Sequence, residues 1–122
     1  MPNPVVHFEI MGQNAKRTQE YYANLFGWDV DANNPMDYGL ATTKDGELGI
    51  NGGLGGDQGG GDQGGGARVS VYAQVDDLQK YLDKAVELGG QVLMPVAEVP
   101  GAGVTIALFA DPDGNVIGLM KG

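Results

Sequence analysis

The chain has 122 residues and a formal charge of −9, with 16 Asp and Glu against 7 Lys and Arg, a single His and no Cys. That length is one domain with room for one sizeable core. The lack of Cys excludes disulfides, thiolate nucleophiles and Cys-ligated zinc, and the acidic balance excludes the basic face of a nucleic-acid binder.

The start, Met1-Pro2-Asn3-Pro4, lacks the basic and apolar regions of a secretory signal, and no apolar run approaches the ~20 residues that cross a bilayer. A soluble cytoplasmic protein with no membrane or nucleic-acid partner is expected. The first strand is Val5–Ile10. Alternation puts Val5, His7 and Glu9 on one face and the apolar Val6, Phe8 and Ile10 on the other. Asn14 is a candidate N-cap for a helix over Ala15–Phe26, which Gly27 stops. Within it Thr18, Tyr21, Tyr22, Leu25 and Phe26 recur at helical spacing. This stripe reads as core; the alternative is a ligand-stacking platform. Further strands are expected from Trp28 to Val30, over Tyr38–Thr43 and over Leu48–Asn51.

Gly52–Gly66 holds most of the glycine and reads as a flexible linker, because side-chain-free backbone loses most entropy on ordering and brings nothing to pack. Its Gly-Gly-Gly-Asp-Gln near-repeat lacks the apolar residue that calcium-binding β-roll repeats need, and no Gly-Lys-Ser/Thr follows to cradle phosphate. The pattern then restarts. Arg68–Val75 is a strand. Asp76 or Asp77 caps a helix whose apolar Leu78, Tyr81, Leu82, Ala85 and Val86 follow i, i+3, i+4, i+7, i+8, and Gly89-Gly90 ends it. Gln91–Val96 carries Pro95 near its end, the mark of an edge or irregular strand. Val104–Phe109 and Val116–Met120 flank Asp111-Pro112-Asp113-Gly114-Asn115, a dense turn signal, and form a hairpin.

Both halves therefore read strand, helix, three strands: unit one at about 4–51, a linker at 52–66, and unit two at about 67–122, in one α+β domain. HFEI at 7–10, YANLFGW at 22–28, VYAQVDDL at 71–78, LGGQV at 88–92 and FADPDGNVIGL at 109–119 resemble the vicinal oxygen chelate superfamily, of glyoxalases, extradiol dioxygenases and bleomycin resistance proteins, in its glyoxalase-like subgroup. The resemblance implies two βαβββ units forming a curved mixed sheet, a half-barrel around a small-molecule cleft, with helices on the outer face.

It also implies a divalent metal held by His or Glu from the first and last strands of each unit. Carried over by position, the ligands fall at His7, at Tyr72 (or Val71), near Gly49 and at Gly118, so only His7 is of the right type. Glu9 shares its face, but residues two apart on a strand lie roughly 6–7 Å apart, and a catalytic metal normally takes about three protein ligands. No cofactor is expected, and a metal only through His7. His7, Glu9 and Tyr72 are then the candidate catalytic groups for proton transfer. Gln74, on the same face as Tyr72, is a candidate ligand-binding residue, as are the aromatics Trp28 and Tyr38. The expectation is a glyoxalase-like protein with a degenerate metal site. If an enzyme, it is a lyase or isomerase of glyoxalase type. One alternative is a metal-free binder of bleomycin-resistance type. The other is a metal-dependent lyase or dioxygenase with a ligand set rearranged onto Glu9, Glu47 or Glu98. A homodimer is expected.

Overall fold

The structure, a computed structural model, describes residues 2–56 and 67–122. The chain divides into two compact units, one of His7–Val69 and one of Ser70–Gly122 with the residues up to Val6. Each reads βαβββ, the α+β plan expected from the sequence.

In the His7–Val69 unit, strand β1 (Val5–Gly12) is followed by helix α1 (Ala15–Phe26) and strands β2 (Asp29–Asp31), β3 (Gly39–Thr42) and β4 (Gly52–Gly56). The order across the sheet is β2-β3-β4-β1. β1 runs parallel to β4, with Phe8 opposite Gly52 and Glu9 opposite Gly53, while β4–β3 and β3–β2 are antiparallel. Asn14 caps α1, accepting from the Arg17 N–H at 3.0 Å, and Gly27 ends it in the left-handed conformation (φ 72°).

The other unit repeats the plan with strand β5 (Arg68–Gln74), helix α2 (Leu78–Glu87) and strands β6 (Gln91–Glu98), β7 (Thr105–Ala110) and β8 (Val116–Lys121). β5 is parallel to β8, with Tyr72 opposite Gly118, and β8, β7 and β6 follow as antiparallel neighbours. Asp77 caps α2. Leu78 and Leu82 of α2 are buried against Val75, Ala107 and Leu119. β6 is the edge strand and carries register shifts around Met94, as Pro95 requires. The β7–β8 turn is tied by the Asp111 carboxylate, which accepts from the Asp113 and Asn115 N–H groups and the Asn115 amide. These bonds, Asn115's first, hold the Asp111 pKa below its usual range. Among the described residues no helix is long and apolar enough to cross a membrane.

Two expectations are corrected. First, the last strand of the first unit is not Leu48–Asn51, and the linker does not begin at Gly52. Asp45 and Leu48 exchange two backbone hydrogen bonds of 3.0 Å around a tight turn, and the Asn51 side chain accepts from the Thr43 and Lys44 N–H groups. Those local bonds take up 45–51, Gly49 sits in the left-handed region (φ 85°), and the strand starts at Gly52. All five of its residues are buried. It packs because neighbours supply the side chains: a Cβ on Gly52 would collide with the Phe8 ring, one on Gly53 with the Tyr38 hydroxyl, and one on Gly56 with the Ala15 backbone. The rest of the expected linker, 57–66, lies outside the described residues.

Second, the aromatic stripe of α1 is not core. Tyr21, Leu25 and Phe26 are 60, 55 and 58 % exposed. The inward face is Ala15, Thr18, Gln19, Tyr22 and Ala23, all half-buried. Against a glycine strand the helix lies close to the backbone, so mostly small and polar residues fit there with Tyr22, and Tyr21, Leu25 and Phe26 are left on the flank. Gln19 uses its position to donate to the carbonyls of Asp37 and Leu54, both at 2.9 Å.

In an ordinary strand Gly→Ala is neutral or stabilising, because glycine loses more entropy on ordering. Gly53→Ala is expected to do the opposite, lowering stability by about 1–3 kcal/mol through overpacking against Tyr38. Urea denaturation, with the m value checked for constancy, measures it.

Candidate functional site

β1 alternates faces, and its two faces do different work. Phe8 joins an aromatic cluster with Trp28 (ring centroids 5.5 Å apart), itself packed on Tyr22 (5.7 Å) and Phe26 (5.0 Å). His7 and Glu9 lie on the opposite face by strand parity. Tyr38, delivered by the loop before β3, stands between them. The Tyr38 hydroxyl donates to Glu9 Oε2 at 2.8 Å and lies 2.9 Å from His7 Nε2. A phenol has one proton to give. With that proton on Glu9, the phenol oxygen accepts from His7, which sets His7 as the Nε2–H tautomer with Nδ1 as the acceptor nitrogen. On the other side Arg68 Nη1 meets Glu9 Oε1 at 3.0 Å. The result is a chain of contacts, His7–Tyr38–Glu9–Arg68, with Glu9 only 6 % exposed.

Two opposing effects act on His7. Burial is the larger and pushes its pKa below the usual 6.5; the Glu9 carboxylate pulls it partly back. The neutral imidazole is therefore the form present at neutral pH.

Of the residues singled out from the sequence, the structure brings together His7, Glu9 and Tyr38. Trp28 is set apart, in the aromatic cluster behind Phe8. Tyr72 and Gln74 belong to the other unit. There Tyr72 is buried with its ring over Gly118, where a Cβ would collide with it, and Gln74 is exposed with its N–H on the Pro4 carbonyl at 2.8 Å. Arg68 was missed by the sequence reading. Nothing near it in the chain calls for a cation; alternation puts it only on the same face of β5 as Ser70, Tyr72 and Gln74. Among the described residues no group of three or more His, Asp or Glu is gathered as a metal site.

A family model described as the Glyoxalase/Bleomycin resistance protein/Dioxygenase superfamily matches residues 5–119. The chain belongs to this superfamily. Relatives named "Putative glyoxylase CFP32", from Mycobacterium bovis and Mycobacterium tuberculosis, are 31% identical over 108 residues. The match covers 84% of this chain and 40% of each relative, so the chain spans less than half of their length. A superfamily member from Vibrio splendidus 12B01 superposes with a TM-score of 0.64 at 15% identity, over 99% of this chain and 100% of that one. A Streptomyces coelicolor methylmalonyl-CoA epimerase variant in complex with 2-nitronate-propionyl-CoA superposes with a TM-score of 0.65 at 15% identity, over 100% of this chain and 96% of that chain. At such identities the likeness is one of fold, and the superfamily fold carries many reactions.

The bridge makes a prediction specific to this superfamily member. Tyr38→Phe keeps the ring and removes the acceptor that His7 donates to. An imidazolium loses more than a neutral imidazole when that acceptor goes, so the His7 midpoint is expected to fall further below 6.5. His7 is the single His, so its ring proton signals in an NMR pH titration of untagged protein are unambiguous; a midpoint identical to wild type rules the bridge out.

Proposed function

We propose that this chain is a metal-independent, glyoxalase-like small-molecule protein in which His7 carries a proton at the carbon beside a substrate carbonyl. The observation that carries the reading is that both oxygens of Glu9 are engaged, Oε1 by Arg68 and Oε2 by Tyr38. A divalent metal at His7 would need Glu9 as its nearest second ligand. It would have to displace a largely buried guanidinium, and stripping one partner from a buried ion pair costs about 3–5 kcal/mol. It would still be one ligand short of the usual three. The donor set does not fit a metal. It does fit acid–base work: a neutral imidazole of depressed pKa accepts a proton, and the Tyr38–Glu9–Arg68 chain holds its orientation and tautomer while the charge develops. Glu9 thereby serves as an orienting group. The names of the relatives, and the acyl-CoA ligand of a protein that shares the fold, agree with a small carbonyl compound as the substrate class.

A second reading, ligand binding without turnover, is favoured by the charge of −9, which attracts a cationic guest. The reading includes a homodimer, for which the exposed Tyr21, Leu25 and Phe26 flank of α1 is the natural contact; size-exclusion chromatography with light scattering is expected to give twice the chain mass, and the monomer mass at micromolar concentration would remove that part.

Elemental mass spectrometry of the untagged protein, before and after incubation with Ni, Zn, Mn and Fe(II), is expected to find metal at background. Near-stoichiometric metal lost in His7→Ala would overturn metal independence. In D₂O the protein is expected to accelerate exchange of the C–H protons beside the carbonyl of methylglyoxal or dihydroxyacetone, and His7→Gln to abolish it. Binding of these compounds without exchange would favour the second reading.

A further inference from the structure

The Tyr38 hydroxyl does its work only if the backbone delivers it to one place, and the structure shows what delivers it. Asn34 holds Tyr38 by both of its backbone polar groups. Its Oδ1 accepts from the Tyr38 N–H at 3.0 Å and from the Met36 N–H at 3.2 Å, and its Nδ2 donates to the Tyr38 carbonyl at 2.7 Å. One side chain thus replaces the strand partner that the residue before β3 lacks, and does so with donor and acceptor both used. The loop is pinned at two more points. Asp31 accepts from the Asn33 N–H, and Gln19 of α1 donates to the Asp37 carbonyl. Asp37 itself adopts a left-handed conformation (φ 51°), the one non-glycine residue to do so among those described. That turn of the backbone directs Tyr38 towards β4, where Gly53 leaves the space that its hydroxyl fills.

We infer that Asn34 is a positioning residue for the site: it locks Tyr38 over Gly53 so that the hydroxyl bridges His7 and Glu9. The inference rests on the proposed role of the Tyr38–His7 bridge. It assigns function to an asparagine that touches none of the proton-carrying groups. The bridge links His7 through Tyr38 to Glu9, with Arg68 beyond Glu9.

The consequence differs in sign from that of removing the hydroxyl. Tyr38→Phe keeps the ring over Gly53 and lowers the His7 midpoint. Asn34→Ala frees the Tyr38 backbone, lets the ring leave Gly53 and admits water. Burial is the main cause of the depressed His7 pKa, so hydration raises the midpoint towards 6.5.

The test is the His7 ring titration by NMR on untagged wild type, Asn34→Ala, Asn34→Asp and Tyr38→Phe, each checked for folding by circular dichroism. Asn34→Asp keeps the oxygen that holds both N–H groups and loses only the donor to the Tyr38 carbonyl. The expected result is a raised midpoint in Asn34→Ala and a smaller rise in Asn34→Asp. A merely structural asparagine would lower thermal stability and leave the midpoint where it was. A midpoint at or below the wild-type value in Asn34→Ala, with Tyr38→Phe shifted, overturns the inference and leaves the bridge standing. If Asn34→Ala does not fold, Asn34→Asp decides alone, and no rise there overturns the inference. An unshifted Tyr38→Phe removes the bridge itself, and the inference with it.

Discussion

A strand of four glycines around one leucine is the constraint on which the His7–Val69 unit depends. β4 is Gly-Gly-Leu-Gly-Gly, and every residue of it is buried. Gly in a strand interior is costly by itself, since it orders the most flexible backbone and offers nothing to pack. The cost is offset by what comes close. Phe8 covers Gly52, Tyr38 covers Gly53, and the start of α1 lies on Gly56. Remove the vacancy at Gly53 and Tyr38 has no place to stand; move Tyr38 and His7 and Glu9 lose the group that links them. The close helix approach has a second effect, because it turns a mostly small and polar face of α1 inward and leaves Tyr21, Leu25 and Phe26 outside.

The electrostatics of the site follow from the same burial. A carboxylate as enclosed as Glu9 has to be paired, and Arg68 pairs it at 3.0 Å. That ion pair and the Tyr38 hydroxyl engage both oxygens of Glu9 beside the imidazole of His7.

Most of the fold was legible in local signals. The caps at Asn14 and Asp77, the stops at Gly27 and Gly89-Gly90, the edge strand marked by Pro95 and the turn at Asp111–Asn115 all lie where the residues indicate, because each rests on bonds within a few positions along the chain. The two misreadings share one cause. Glycine has no pattern, so β4 carried neither alternation nor β-branched residues to announce it, and the helix lying on it inverted the usual rule that the large apolar face is the buried one. Of the site, His7 and Glu9 were readable from strand parity. Tyr38 was noticed as an aromatic group, but its partners, 31 and 29 residues away, were not. Arg68 was passed over, since nothing near it in the chain calls for a cation.

The sequence by itself determined the repeated βαβββ plan and the superfamily, because these depend on periodicity, short-range turn chemistry and residue type. Only the tertiary structure decided that the glycine run begins as a buried strand, that Tyr38 joins His7 to Glu9, and that Arg68 holds the carboxylate. Those are contacts between residues far apart in the chain. Their existence turns on distances of about 3 Å and on space left by absent side chains, and neither quantity is written in the order of the residues.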